Sequence, residues 1–305
     1  MSVLVVGSVA LDTIETPELK VDEVLGGSAS YFSYACSFFS PVRLVAVVGN
    51  DFDKEHINAL REKGVDTAGL EVHEGRTLRW HGRYFGTGDK RETVKVEPEL
   101  MNAFKPDIPE HFRESKFVFL ANCNPGLQNH VAEQVENGAT IFADTMDLWI
   151  DTQREELLSL LGRIDGLILN DEEAEHLSGK KDLMAAAMDI SRMGPKTIIV
   201  KKGSHGSFML MDGDVVSFPA FPMMEGVCDP TGAGDSFAGA FMGALAKAGK
   251  LNRETARQAL ALATITSTFC IEKFSLDRFS EIGLQDIHKR YNAYRKMLTL
   301  SSLET

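Results

Sequence analysis

The sequence predicts an α/β fold: a doubly wound, mostly parallel central sheet with helices on both faces, and a small second β-sheet. The first observation is that short apolar, β-branched runs alternate with helical patterns over most of the 305 residues. Strands that are buried on both faces of a parallel sheet have this composition. The second is the stretch 70–96, which alternates without a helical period and has glycines at its turns. That pattern indicates a hairpin or small sheet inserted into the larger domain.

The individual elements follow from these patterns in chain order. Strands of the large sheet are predicted at residues 3–6, 44–48, 117–120, 140–143, 167–169 and 197–201. Helices are predicted at residues 31–39, 53–63, 127–136, 153–161, 172–177, 183–193, 236–247, 254–270 and 284–297. We expect a single domain over residues 1–305, with an inserted β lid formed by about residues 9–25 and 70–97.

Composition narrows the class of protein. The chain has 32 Lys and Arg against 44 Asp and Glu, a formal net charge of −12, which disfavours nucleic acids and anionic membranes as partners. The four cysteines lie far apart and have no metal-binding spacing, as expected in a reducing compartment. No apolar run reaches membrane-spanning length, and no signal-peptide pattern precedes the first strand. We therefore expect a cytoplasmic enzyme.

The strongest chemical signal is the stretch 229–241, DPTGAGDSFAGAF. Gly232, Ala233 and Gly234 form a bare turn ahead of a helix, where backbone N–H groups and the helix dipole attract an anion. Asp235 then lies beside the anion and can accept a proton from an attacking hydroxyl, an arrangement that phosphoryl transfer to an alcohol requires. The alternative is a conformational role, since Asp is a common N-cap and glycine is common in turns.

Two further motifs follow strands of the predicted sheet, at the edge where ligands bind in open α/β folds. Asn170 and Glu173, three residues apart on one side of a first helical turn, can hold the waters of a hydrated Mg²⁺. The alternative for this pair is a capping box. Gly203 and Gly206 follow the strand at 197–201, where the spacing alone indicates a tight turn.

The N-terminal third contains candidate acceptor-binding residues. Asp12 follows the first strand, and a carboxylate can accept two hydrogen bonds from neighbouring sugar hydroxyls. Gly26 and Gly27 precede a helix and allow close backbone approach to a small ligand. Taken separately, each of these features also fits an ordinary turn.

In their order and spacing these motifs resemble those of the ribokinase-like (PfkB) carbohydrate kinase family, from residue 3 to about residue 281. The resemblance implies ATP-dependent phosphorylation with Mg²⁺, in which Asp235 is the base and the N–H groups of residues 232–234 stabilise the moving phosphoryl group. It further implies an acceptor site at Asp12, Gly26, Gly27 and Tyr31, nucleotide contacts at Lys201, Gly203, Gly206 and Thr231, and metal support from Asn170 and Glu173.

Two details of the resemblance bear on specificity and ions. Tyr31 stands where the family often has asparagine, which leaves the identity of the acceptor open. Asp229 and Thr231 match positions near which the family often uses a monovalent cation such as K⁺. Asp144, which follows another predicted strand, is given no role.

The predicted activity is transfer of the γ-phosphoryl group of ATP to a hydroxyl of a sugar or sugar-like molecule. A nucleoside kinase is the nearest alternative, because Tyr31, Trp80 or Phe85 can stack on a base. A non-catalytic nucleotide-binding regulator is less favoured, because the aspartate of the GAGD sequence is present. We expect the helix start to keep Asp235 ionised and weakly basic. The small sheet is a candidate lid or homodimer surface.

Overall fold

The computed structural model describes residues 1–86, 90–224 and 226–299. Residues 87–89 of the predicted insertion and the last six residues of the predicted domain lie outside this part of the chain. The strands are β1 (Val3–Val6), β2 (Ala10–Glu15), β3 (Lys20–Gly26), β4 (Val42–Gly49), β5 (Val65–His73), β6 (Leu78–Phe85), β7 (Lys90–Glu97), β8 (Phe117–Leu120), β9 (Thr140–Asp144), β10 (Gly166–Asn170), β11 (Thr197–Lys201), β12 (Ser207–Met211) and β13 (Asp214–Phe218).

The helices lie mainly between the strands of the large sheet and after its last strand. They are α1 (Ser28–Ser37), α2 (Lys54–Glu62), α3 (Glu99–Ala103), α4 (Glu110–Arg113), α5 (Pro125–Ala132), α6 (Asp147–Thr152), α7 (Arg154–Leu161), α8 (Asp171–Ser178), α9 (Leu183–Arg192), α10 (Ala233–Ala248), α11 (Arg253–Cys270), α12 (Asp277–Glu281) and α13 (Leu284–Leu298). None of these described helices is both long and apolar enough to cross a membrane.

The large sheet has the strand order β13-β12-β11-β10-β9-β8-β1-β4-β5 in the described residues. All pairs from β11 to β5 are parallel, whereas β12 and β13 are antiparallel additions at one edge. Successive strands build outward on either side of β1, so the order reverses between β1 and β8, where ligands bind in such sheets. The predicted doubly wound, mostly parallel sheet is confirmed.

Helices cover both faces of this sheet, as the alternation within β1 demonstrates. Val3 and Val5 belong to a core cluster that includes residues of α1, α10, α11 and α13. Leu4 and Val6 belong to a second cluster, with residues of α5, α7, α8 and α9. All four β1 side chains are fully buried. Strands enclosed in this way read as continuous apolar runs, which is why the sequence pattern located them.

The second sheet has four strands in the order β3-β2-β6-β7. The sequence placed the start of its second segment at residue 70, but residues 70–73 belong to β5, which pairs with β4 in the large sheet. β5 is the edge strand there; its burial alternates over residues 65–69, and residues 70–73 are partly or largely exposed. The end of this edge strand meets solvent, so residues 70–73 lack the continuous apolar run of the inner strands, and the sequence pattern assigned them to the small sheet.

Helix α10 packs very closely against α1, because its glycines leave room for the neighbouring backbone. A Cβ on Gly239 would lie 2.2 Å from the carbonyl oxygen of Phe32, and one on Gly243 would lie 2.8 Å from that of Cys36. Residues 238–240, 243, 244 and 246 of this helix are all Ala or Gly, which permits such close packing. It holds the beginning of α10 beside the segment that enters α1.

Candidate active site

Asp12, Gly26 and Gly27, which the sequence predicts to bind the acceptor, lie in direct contact with one another. A Cβ on Gly26 would lie only 1.9 Å from Oδ2 of Asp12, so no side chain fits at residue 26. The N–H of Gly27 donates to the same oxygen at 3.4 Å. Gly27 has a φ of +91°, and a Cβ there would also lie 2.5 Å from the carbonyl oxygen of Ser8. The glycine pair is therefore required by the position of the Asp12 carboxylate and by the turn into α1.

The pKa of Asp12 is raised to about 7, mainly by burial; the hydrogen bond from Gly27 lowers it, and the charges of Asp229 and Asp235 contribute to the rise. Asp12 is 3% exposed. The carboxylates of residues 229 and 235 act on Asp12 although they are more than 200 positions away in sequence. The first and last motifs of the sequence thus share one electrostatic environment.

Tyr31 joins the same two motifs sterically. A Cβ on Gly232 would lie 2.1 Å from Cδ1 of Tyr31, so the tyrosine ring lies against the bare Cα of residue 232. The Tyr31 hydroxyl is buried without a hydrogen-bond partner among the described residues. Burial raises its pKa well above the usual value, with Asp12 and Asp229 adding to the effect. Tyr31 therefore packs against the loop that precedes α10 and does not present an open ring face.

Helix α10 begins at Ala233, not at Ser236 as the sequence indicated, with Gly232 as its N-cap at a φ of +73°. Gly234 and Asp235 consequently lie in the first helical turn. Residues 232–235 keep partial exposure, whereas residues 236–246 are buried. The helix start is thus accessible, and its first N–H groups lack the helical carbonyl partners that later residues have. The N–H of Ala233 donates to the carbonyl of Pro230 at 3.3 Å.

Lys201 brings a positive charge to this helix start. A Cβ on Gly234 would lie 2.7 Å from Nζ of Lys201, so the ammonium group lies against the first turn of α10. The Lys201 charge lowers the pKa of Asp144, Glu173 and Asp235 alike. Strands β9, β10 and β11 are neighbours, and the first two carboxylates and the lysine lie at or just after their carboxyl ends.

The pKa of Asp235 is raised by burial to about 6, although Lys201 and Arg91 lower it. The expectation that the helix start makes Asp235 a weak base is therefore wrong. That expectation counted the favourable helix dipole but omitted the cost of moving a carboxylate away from water, which is the larger effect here. A pKa of about 6 suits a proton acceptor at neutral pH.

Asn170 and Glu173 form a complete capping box at the start of α8. Oδ1 of Asn170 accepts from the N–H of Glu173 at 2.7 Å, and Oε2 of Glu173 accepts from the N–H of Asn170 at 2.8 Å. Burial raises the pKa of Glu173, and Lys201 lowers it. The described residues contain no group of three or more His, Cys, Asp or Glu side chains arranged to hold a metal ion. The capping role is thus present, and a metal role for this pair needs further ligands.

Asp144 is a member of this charged cluster that the sequence left without a role. It ends β9, is 5% exposed, and its Oδ1 has no hydrogen-bond partner among the described residues. Burial raises its pKa well above the usual value, and Asp235 and Glu173 add to this while Lys201 opposes it. The sequence signal for a site role was its position directly after the predicted strand 140–143, because the carboxyl ends of parallel strands meet at one edge of the sheet.

The small sheet contacts the loop that precedes α10 through Thr231. Its Oγ1 donates to the hydroxyl of Tyr84, a β6 residue, at 3.0 Å. The N–H of Thr231 donates to Oδ1 of Asp229 at 2.8 Å, and its carbonyl accepts from Sγ of Cys270 at 3.3 Å. Arg91 on β7 lies opposite Tyr84 in the sheet. The predicted lid residues are therefore anchored to the loop that precedes α10.

The turn between β11 and β12 contains the remaining predicted nucleotide residues. Gly203 has a φ of +50°, and a Cβ there would meet open space. Gly206 has a φ of +85°, and a Cβ there would lie 2.1 Å from the carbonyl oxygen of Phe218. The N–H of Lys202 donates to the carbonyl of Gly206 at 2.7 Å. Gly206 is thus required by the tight turn, whereas Gly203 leaves accessible space at the same edge as Lys201.

Residues 2–278 match the sequence model of the pfkB family of carbohydrate kinases. The chain belongs to this family. The cytidine kinase of Thermococcus kodakarensis is 27% identical over 247 residues, which cover 79% of this chain and 87% of that protein. The ribokinase of Arabidopsis thaliana is 31% identical over 275 residues, which cover 82% of this chain and 69% of that protein.

The fold is equally well matched. A putative ribokinase II from E. coli, solved in complex with ATP and Mg²⁺, superposes with a TM-score of 0.79 at 18% identity, covering 96% of this chain and 99% of that one. The resemblance to ribokinase-like carbohydrate kinases and the predicted fold class are therefore confirmed. As a member of the pfkB family, the protein is a kinase that transfers a phosphoryl group to an alcohol group.

Proposed function

We propose that this kinase transfers the γ-phosphoryl group of ATP to a hydroxyl of a sugar or sugar-containing small molecule, at the first turn of α10. The observation that carries the proposal is the contact between Tyr31 and Gly232. It joins the unit of Asp12, Gly26 and Gly27, which suits sugar hydroxyls, to the loop that precedes Asp235. An acceptor site and a base beside an exposed helix start are the parts that phosphoryl transfer needs.

Asp12 and the Gly26-Gly27 turn bind and orient the acceptor in this proposal. The carboxylate accepts hydrogen bonds from sugar hydroxyls, which are stronger than those between neutral groups. Because the pKa of Asp12 is raised to about 7, the free protein holds this group partly protonated near neutral pH. Hydroxyl donors favour the ionised form. Tyr31, which packs against Gly232, helps to hold the acceptor residues beside the loop that precedes α10.

Asp235 accepts the proton of the attacking hydroxyl. Its raised pKa, about 6, leaves it ionised at pH 7 and makes it more basic than an exposed aspartate. The N–H groups of Gly232, Ala233 and Gly234, together with the Lys201 ammonium, stabilise the negative charge of the phosphoryl group. Lys201, Gly203, Gly206 and Thr231 then lie on the nucleotide side of the reaction centre.

The residues present fit a magnesium nucleotide, such as the ATP and Mg²⁺ bound by the E. coli relative. Mg²⁺ is commonly held by one or two carboxylates together with substrate phosphates and water. Oδ1 of Asp144 has no hydrogen-bond partner among the described residues, and Glu173 belongs to the same cluster. We propose that these two residues, with Asn170 fixing Glu173, hold the ion. When bound, Mg²⁺ neutralises phosphate charge and so assists the transfer.

Two expectations from the sequence, a monovalent cation and a homodimer, are carried forward as proposals. Both oxygens of Asp229 already accept backbone hydrogen bonds, from Thr231 and Ser275, so a monovalent cation such as K⁺ would share these residues with existing contacts. Comparing activity in K⁺ and in Na⁺ tests whether the protein uses such a cation.

A homodimer through the small sheet is tested by light scattering; a monomer at all protein concentrations would rule it out.

An acceptor screen tests the proposed function. Purified protein is incubated with ATP, Mg²⁺ and a panel of sugars, sugar acids, polyols and nucleosides, and ADP release and phosphorylated product are measured together. We expect product from at least one acceptor with a sugar hydroxyl. Measurable ATP binding without product from any acceptor would instead support a non-catalytic nucleotide-binding regulator.

A further inference from the structure

The inner face of the small sheet, defined here as the face that carries Asp12, also carries Trp80. Asp12 on β2 and Trp80 on β6 are direct partners in the parallel pairing of these strands. Partnered residues point to the same face, and neighbouring strands lie about 4.8 Å apart. The indole therefore begins one strand away from the carboxylate proposed to bind sugar hydroxyls, a distance comparable to that between the sugar and the base of a nucleoside.

The Trp80 ring is held in place from several sides. A Cβ on Gly82 would lie 1.9 Å from the indole, so the ring lies over the bare Cα of this glycine. Its Nε1 donates to Oγ1 of Thr93 at 3.2 Å, and its ring meets that of Tyr84 edge-on with centroids 6.5 Å apart. The guanidinium of Arg91 lies over the ring, 5.6 Å from its centroid. The guanidinium is a flat group on a flexible side chain, so a planar ligand ring that stacks on this face takes its place against the indole.

The inner face leaves apolar surface open beside Asp12. Trp80 is partly exposed, and Val96, its partner on β7, is 49% exposed. The outer face is different, because its residues form ion pairs such as Arg79 with Glu23 and Arg83 with Glu15. A free monosaccharide bound at Asp12 would leave the apolar strip of Trp80 and Val96 in water, whereas a flat ring attached to the sugar would cover it.

The other aromatic candidates for stacking are not placed for it. Tyr31 is 1% exposed and lies against Gly232. Phe85 follows Tyr84 directly in β6, so it points to the opposite face of the sheet. Trp80 alone of these three combines partial exposure with a position on the face of Asp12.

We infer that Trp80 is the platform on which the heteroaromatic ring of a nucleoside acceptor stacks while Asp12 binds the hydroxyls of its sugar. This inference rests on the proposed function, since it names the acceptor class of that site. Stacking of a base on an aromatic side chain contributes enough to change binding by a factor of roughly 5 to 150. Trp80 is then the specificity-determining residue that separates nucleosides from free sugars.

Fluorescence provides a test that does not require turnover, because the chain has only two tryptophans, Trp80 and Trp149. Cytidine, adenosine and ribose are titrated into the wild type and into the W80F and W149F variants, with selective tryptophan excitation. We expect saturable quenching by a nucleoside in the wild type and in W149F, none in W80F, and none with ribose. Quenching that survives in W80F, or an equal response to ribose, would overturn the inference.

Kinetics supply the second readout. Trp80→Ala should raise KM for the nucleoside by roughly 5- to 150-fold, with kcat and the KM for ATP nearly unchanged, and Trp80→Phe should restore most of the loss. Phe85→Ala, on the same strand but the opposite face, is the matched control and should leave KM unchanged. An unchanged KM in Trp80→Ala would contradict the inference. If the wild type phosphorylates nothing, the proposed function fails, while the fluorescence titration still decides the role of Trp80.

Discussion

The ring of Tyr31 lies against the Cα of Gly232, so closely that a Cβ on residue 232 would stand 2.1 Å from Cδ1 of the tyrosine. Tyr31 lies in the first turn of α1, close to the Gly26-Gly27 turn, and Gly232 is the N-cap of α10. The contact fixes the helix start relative to the Asp12 carboxylate, which is proposed to bind the acceptor. Small displacements of reacting groups have large kinetic costs, so this contact should matter for rate more than for folding.

Gly232→Ala should lower kcat by about 10²-fold, because the new methyl group displaces the Tyr31 ring or the start of α10. Gly249→Ala is the matched control. Gly249 ends the same helix at a φ of +75°, close to the +73° of Gly232, but the nearest atom to its Cβ position is Cε of Met1 at 3.6 Å. Both variants carry similar backbone strain, of about 1–2 kcal/mol. Equal kinetic effects in the two variants would show that strain, and not the contact, is responsible.

Asp12→Asn should weaken acceptor binding but stabilise the folded protein at alkaline pH. The pKa of Asp12 is raised to about 7 in the fold, above the usual value of about 3.9. Asp12 ionises more readily in the unfolded chain than in the fold. The stability associated with its protonated form is therefore fully present below pH 4 and is lost as the pH rises through 7. An amide avoids the buried charge, so we expect the melting temperature of the variant to exceed that of the wild type by roughly 4 °C or more at pH 8, and by less at pH 5.

Calorimetry at the two pH values, together with KM for the acceptor, measures both effects of the Asp12 substitution. A variant that melts below the wild type at pH 8 would mean that the Asp12 carboxylate is stabilised when ionised. In that case its proposed role as a desolvated acceptor ligand would need revision.

Lys201→Met should shift the pH dependence of the reaction upward. Lys201 lowers the pKa of Asp235, so its removal raises that pKa further. Because Asp235 acts in its ionised form, the acidic limb of kcat/KM then moves to higher pH. We also expect a roughly 10-fold or greater rise in KM for ATP, since a charge-assisted contact with phosphate is lost. Lys202→Met, at the next residue, is the control, and equal shifts in both variants would argue against a specific role of Lys201.

The large sheet and the candidate site motifs could be predicted from the sequence because each signal is local. These signals are buried apolar runs, glycine-rich turns and polar residues after strand ends. Features that depend on the assembled fold were missed. The start of α10 at Ala233 follows from the left-handed Gly232 N-cap, and the membership of residues 70–73 in β5 follows from pairing with β4. The raised pKa of Asp235 and the unpartnered oxygen of Asp144 arise from burial among distant residues. The spacing of residues along the chain does not reveal these effects of burial.

The proposed mechanism requires Asp235 to accept the proton of the acceptor hydroxyl. The most direct measurement is kcat of Asp235→Asn with the best acceptor from the screen, with ATP affinity measured separately and with the exposed Asp277→Asn as control. We predict a loss of at least about 10²-fold in kcat, unchanged ATP affinity, and a wild-type profile in which activity falls as the pH decreases through about 6. Wild-type turnover in Asp235→Asn would show that Asp235 is not the proton acceptor.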